Sequence, residues 1–264
     1  MGTAAAGLSR DAEIAFEAFA PAYDDFTADH NYGLWQGNLL PELQRHDLQG
    51  RRLLDVACGT GKSFLWMQEQ GWDVVGCDIA PSMLEQASAK APGDVRLVVA
   101  DMRELPKLGQ FDLVWALCDA INYLLSAEEL ALALNAMRGN LAPGGLLIFD
   151  LNTLLAYRTF YAETEIVEKD GRRLIWRGHT PGDVRPGSVC EATVESEESA
   201  SNGMRTHVHR QRHFPEHEVL AALASNGLDC LDVFGHVEDA VFKQPLDELT
   251  HTKAVYIARP VRPA

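Results

Sequence analysis

The chain has 264 residues, 47% hydrophobic and 23% charged, enough to bury one sizeable α/β core with or without a subdomain. Against 23 Lys+Arg stand 38 Asp+Glu, a net charge of −15, and so acidic a surface repels polyphosphate backbones and argues against a nucleic-acid partner. Five scattered cysteines without a Cys-x-x-Cys pair suit a reducing compartment. Arg10, Asp11, Glu13 and Glu17 break up any secretory signal, and no apolar run nears the roughly 18–20 residues that span a bilayer. The expectation is a cytoplasmic protein working away from membranes.

In chain order, residues 1–8 read as disordered. Ile14, Phe16, Ala18 and Phe19 predict a helix from about Ser9 to Ala20, ended by Pro21. An aromatic stretch with Tyr23, Phe26, Tyr32 and Trp35 leads into a second helix from about Leu34 to Arg45. Arg52–Ser63 reads as a buried strand, a glycine turn and a helix start, with Asp55 anomalous inside the apolar run. The end of this stretch, Gly61-Lys62-Ser63, looks like a phosphate loop, but Val56 stands where the first glycine belongs. A dinucleotide fingerprint fails at Phe64, where its third glycine belongs.

Lys62–Gln70 reads as a helix stopped by Gly71, and 73–78 as a strand ending in Asp78, 23 residues after Asp55. That spacing suits a carboxylate placed on ribose hydroxyls. A helix from Pro81 to Ala91 and a strand from Val95 to Ala100 lead to Asp101, for which capping the turn before Arg103 is the lesser alternative to a ligand role. The strand Phe111–Cys118 runs into Asp119-Ala-Ile-Asn-Tyr123. Ser126-x-x-Glu129 is a capping box that opens a helix to about Asn140, and Pro143-Gly144-Gly145 turns into a strand over Leu146–Leu151.

Beyond this the pattern changes. Ile166–Trp176, with Asp170-Gly171 as turn, and Val189–Phe214, with Ser-Asn-Gly at 201–203, read as antiparallel hairpins. His207, His209 and His213 would share one strand face, and charge pairing with Glu191, Glu195, Glu197 and Glu198 is a simpler account of them than a metal site. His179, His207 and His209 are candidate general bases. A helix from Pro215 to Asn226 closed by Gly227 and strands at Leu228–Phe234 and Thr252–Ala258 end the chain.

Asp55-Val-Ala-Cys-Gly-Thr-Gly61 resembles the first motif of the class I S-adenosylmethionine-dependent methyltransferases. The later landmarks Asp78, Asp101-Met102, Phe111-Asp-Leu-Val and Pro143-Gly-Gly extend the resemblance over about residues 50–152. It implies a Rossmann-like, seven-stranded, mostly parallel sheet with an antiparallel last strand, plus an inserted antiparallel β subdomain. The boundaries would be a helical cap at 1–50, the cofactor core at 51–152, inserted hairpins at 153–214 and core completion at 215–264. It also implies that Asp55, Ala57, Gly59 and Gly61 hold the cofactor's methionine portion, Asp78 and Ile79 the ribose side, and Asp101 with Met102 the adenine. Leu117 and Cys118 would flank the sulfonium, with Tyr23 and Tyr32 covering it. Tyr123 and His179 are the catalytic candidates, with no metal.

The aromatic N-terminus and the insertion resemble those of amino-sugar N-methyltransferases and related tailoring enzymes, which implies an N or O atom of a small soluble molecule as acceptor and allows a homodimer. The alternatives are a non-catalytic cofactor-binding scaffold and an NAD-dependent oxidoreductase.

Overall fold

The computed structural model describes residues 3–93, 95–169, 172–180, 183–197, 204–237 and 241–261. In chain order these form α1 (Thr3–Phe26), α2 (Tyr32–Arg45), β1 (Arg52–Val56), α3 (Lys62–Glu69), β2 (Asp73–Asp78), α4 (Pro81–Lys90), β3 (Arg96–Val99), β4 (Phe111–Ala116), α5 (Ala127–Arg138), β5 (Leu141–Asn152) and α6 (Leu154–Thr159). There follow β6 (Thr164–Lys169), β7 (Arg172–Gly178), β8 (Val189–Glu197), β9 (Met204–Arg212), α7 (Glu216–Ser225), β10 (Leu228–His236), β11 (Phe242–Lys243) and β12 (Lys253–Pro260).

The central sheet runs β11-β10-β12-β5-β4-β1-β2-β3. β3, β2, β1, β4 and β5 are parallel, while β12 runs antiparallel to both β5 and β10. Parallel strands covered on both faces need apolar residues at every position. On one face Val114, Leu147, Phe149 and Tyr256 pack with α5 and α7. On the other, Leu113, Trp115, Leu146, Ile148 and Val255 pack with α2 and α3. Strand order reverses between β1 and β4, and in open α/β sheets ligands bind outside the carboxyl ends of strands at such a switch point.

The inserted sheet is a meander, β6-β7-β8-β9. α1 is a shared wall, touching α4 of the core on one side and β9 of the insertion on the other. Phe19 is buried with Trp176, Tyr157 and Cys190, and Phe26 stacks on Trp176 at 6.0 Å.

Several expectations need correction. Helix α1 starts at Thr3, ahead of the expected Ser9, where Ala4–Ala6 favour helix. It also passes Pro21 to end at Phe26. Proline removes one donor, but Phe19, Tyr23 and Phe26 on either side of it pack on the insertion and carry the helix on. An eighth strand, β11, lies at the sheet edge, and α6 had no signal in the sequence. The turns at 170–171 and 201–203 lie outside the described residues. Across β8, His209 faces Ala192 and His207 faces Val194, and His213 pairs with Glu248, outside the inserted sheet, at 2.6 Å. Glu191 bonds Arg210 at 2.6 Å instead, and Glu195 meets Arg177. Among the described residues no helix is long and apolar enough to cross a membrane.

Candidate active site

A cavity opens at the carboxyl ends of β1–β4, with Phe16 and Tyr23 of α1 in its wall. The turn after β1 bends through positive φ at Ala57 (57°), Gly59 (54°) and Gly61 (86°). Gly61 is needed for packing, because a Cβ there would sit 2.8 Å from the Phe64 ring. Gly59 faces open space instead, its nearest neighbour in that direction being Tyr23 Cε1 at 3.9 Å, so a ligand can lie against bare backbone.

Asp78, at the end of β2, accepts from Gly59 N–H at 2.8 Å and Ala80 N–H at 2.9 Å. Burial pushes its pKa up to about 6, while the N–H groups of Ala80, Gly59 and Ile79 pull it back. Asp55 is buried under the turn and accepts from the Ser63 hydroxyl, and Gln36 clamps the Ser63 carbonyl from α2. Its pKa is pushed up to about 7 by burial, opposed by Ser63 and the Trp115 indole. At the end of β3, Asp101 accepts from Arg103 N–H at 2.9 Å and pairs with its guanidinium at 2.7 Å, while Arg103 reaches on to Glu129.

The end of β4 is strained. Cys118 (φ 60°) and Asp119 (φ 55°) are successive left-handed non-glycine residues, a conformation that costs about 1–2 kcal/mol each. Their N–H groups converge on the fully buried Asp150 carboxylate at 2.6 and 2.9 Å, the cradle that successive N–H groups make for an anion. Lys253 Nζ bridges Asp150 at 2.7 Å and Asp119 at 2.6 Å. Burial alone would lower the Lys253 pKa, but the Asp119 and Asp150 carboxylates outweigh it and hold it above the ordinary value.

Asp24 meets Thr60 at 2.5 Å, and Lys62 donates to the Thr27 carbonyl at 2.9 Å, so the end of α1 is tied to the glycine turn. Tyr23 and Tyr32 both line the cavity, and burial pushes both phenols up, with Cys118 beside them adding to it. Tyr123 lines the cavity from a short turn, Ala120–Tyr123, with its hydroxyl 2.9 Å from His209 Nδ1.

Comparisons with known proteins agree with this geometry. A family profile described as "Methyltransferase domain" matches residues 53–145. A dTDP-3-amino-3,4,6-trideoxy-α-D-glucopyranose N,N-dimethyltransferase of Streptomyces venezuelae is 29% identical over 182 residues, covering 67% of this chain and 74% of that one. The S-adenosylmethionine-bound structure of CalS10, an amino pentose methyltransferase from Micromonospora echinaspora, is 25% identical with a TM-score of 0.66, covering 91% of this chain and 95% of that one. Residues 53–145 are those of a methyltransferase domain, and the fold around them is that of the S-adenosylmethionine-dependent enzymes. A further relative, a Geobacillus protein assigned to the methyltransferases without a stated substrate, is 33% identical over 144 residues, 53% of this chain. The match spans 58% of that relative's length.

In this methyltransferase, Tyr23, Tyr32, Ala57, Gly59, Asp78, Ile79, Asp101, Met102, Leu117, Cys118 and Tyr123 all line one cavity. Three expected site residues do not. Asp55 and Gly61 lie beneath the turn and shape it, because the strand directs the Asp55 side chain into the layer between sheet and α3. His179 is exposed beyond β7, bonded to Thr193 at 2.8 Å; the turn after β7 carries it off the cavity. Sequence reasoning missed Asp150 and Lys253. Asp150 had the same signal as Asp55, an acid inside an apolar strand, whereas Lys253 looks like an ordinary strand-start lysine.

Proposed function

We propose that this methyltransferase moves the methyl group of S-adenosylmethionine to an N or O atom of a small soluble molecule, with an amino-bearing metabolite favoured. The observation that carries the reading is the single cavity that joins bare backbone at Gly59, a carboxylate at Asp78, the Asp101–Met102 edge and the Tyr123 hydroxyl. The cofactor supplies an electrophilic methyl on a sulfonium; the chain's share is to bind, orient and exclude water. Gly59 would lie against the methionine portion, Asp78 would accept from the ribose hydroxyls, and Met102 N–H with the Asp101 carboxylate would meet the adenine edge. Tyr23 and Tyr32 would close over the sulfonium from the 1–50 segment, which we read as a cap, and 153–214 as the acceptor side. Two relatives named as amino-sugar methyltransferases support nitrogen as the acceptor atom.

Calorimetry with S-adenosylhomocysteine tests the cofactor half: binding is expected, and Asp78→Ala should weaken it at least tenfold, the scale of a lost charge-assisted hydrogen bond. Transfer of labelled methyl from S-adenosylmethionine to a dTDP-amino sugar and to its hydroxyl analogue tests the acceptor half. No binding of either cofactor form would overturn the reading, and binding with methylation at carbon alone would overturn the acceptor assignment.

A further inference from the structure

His209 is 1% exposed and reaches the site from the inserted sheet, with rings on several sides: Phe16 at 5.4 Å, Phe19 at 5.7 Å and Trp176 at 5.9 Å between centroids. Its Nδ1 lies 2.9 Å from the Tyr123 hydroxyl, and its Nε2 is buried with no hydrogen-bond partner among the described residues. The titratable groups facing it are Tyr123 and Asp119 from the turn after β4 and His207 from its own strand. Burial first and His207 second, opposed by Asp119, lower its pKa to about 4, so the ring is neutral at pH 7.

A neutral imidazole has one N–H and one lone pair, and the neighbours decide which nitrogen holds which. Gln211 supplies the deciding constraint. Its carbonyl oxygen accepts from Asn152 at 2.9 Å and Tyr157 at 3.2 Å, and its amide nitrogen donates to Asp119 at 2.7 Å. With its oxygen taken, what Gln211 has left to offer Tyr123 is its second amide N–H, and a hydrogen bond donated from it would oppose the effect of burial on the phenol. A phenol oxygen that faces a donor there has its own proton free for His209. The opposite tautomer would leave a bare Nε2 lone pair against ring π electrons, whereas an Nε2–H can rest on them.

We infer that His209 is a positioning residue: its Nδ1 accepts a hydrogen bond from the Tyr123 hydroxyl, which keeps its proton, and this turns a phenol lone pair towards the cavity and selects acceptors that present an N–H or O–H. Tyr123 then orients the nucleophile as a hydrogen-bond acceptor and does not remove its proton. The inference rests on the methyl-transfer reading, with Tyr123 beside the transferred group. The β9 strand of the insertion thereby sets the polarity of a side chain on the core.

Sinefungin carries an amine in place of the sulfonium methyl, so its affinity relative to S-adenosylhomocysteine reads that lone pair without a known acceptor. Calorimetry should show the sinefungin preference reduced about tenfold in Tyr123→Phe and in His209→Leu, the effect of one hydrogen bond to a charged group. His209→Asn, whose side-chain oxygen can stand in for Nδ1, should retain most of it. Long-range ¹H–¹⁵N correlation spectra should show His209 with a protonated Nε2 and a bare Nδ1, its signal assigned by its loss in His209→Asn. An unchanged preference in Tyr123→Phe, or a protonated Nδ1, would overturn the inference. Failure of S-adenosylhomocysteine to bind the native protein would overturn the methyl-transfer reading instead, and the tautomer in the free protein would still decide the Tyr123–His209 arrangement.

Discussion

Replacing Lys253 by methionine removes the ammonium that separates Asp119 from Asp150 and keeps nearly the same volume. Its ion pairs with these two carboxylates are 2.6 and 2.7 Å long, and Asp150 is fully buried. Removing one partner of a buried ion pair costs about 3–5 kcal/mol. Asp119 retains Gln211 and part of its side chain is exposed, so we expect the lower end, about 3 kcal/mol. In the native protein Lys253 has its pKa raised above the ordinary 10.5, so its contribution is complete below that value and is lost only at higher pH. Urea unfolding at pH 8 measures the loss. A Lys253→Met loss below about 1 kcal/mol there would refute the claim that the ammonium holds the turn together.

Asp55 has a folded pKa of about 7, above its ordinary 3.8, so folding favours its protonated form and the stability it allows falls as pH rises between those values. Asp55→Asn should therefore gain about 2 kcal/mol at pH 8 after the weaker Ser63 bond is allowed for, with little gain at pH 5; urea midpoints at the two pH values check this. The two glycines of the turn should separate fold from ligand. Gly59→Ala has room but an unfavourable φ, so it should cost about 1 kcal/mol of stability while impairing S-adenosylhomocysteine binding. Gly61→Ala, which meets Phe64 and Ala87, should lose more stability in thermal unfolding. His179→Ala should leave cofactor affinity unchanged in calorimetry, and a tenfold loss would return His179 to the site.

Cavity-lining residues were legible where they end strands. Asp78, Asp101 and Cys118 each follow an apolar run, and a parallel sheet brings such ends to one edge whatever the helices between them do. Asp55 misled because an acid in a strand beside a ligand turn can face either the ligand or the layer beneath, and strand parity alone does not say which turn atom it meets. Lys253 was illegible because its partners lie 103 and 134 residues away and nothing local marks it. Pro21 follows a local rule that loses here to aromatic packing on strands nearly 150 residues further on. For His209 the expected glutamate partner failed on register: alternation grouped the histidines on one face, but which residue opposes each depends on the pairing offset between β8 and β9.

The position of α1 against both α4 and β9 bears on how such a chain can acquire a new acceptor. A change in the insertion that alters the surface under Phe16 or Phe19 also reseats the helix that walls the cavity, so variation there is felt across the whole cavity at once. Free drift in acceptor preference is confined to the strands that α1 does not cover, and inherited change along β9 has to arrive together with matching change in the first helix.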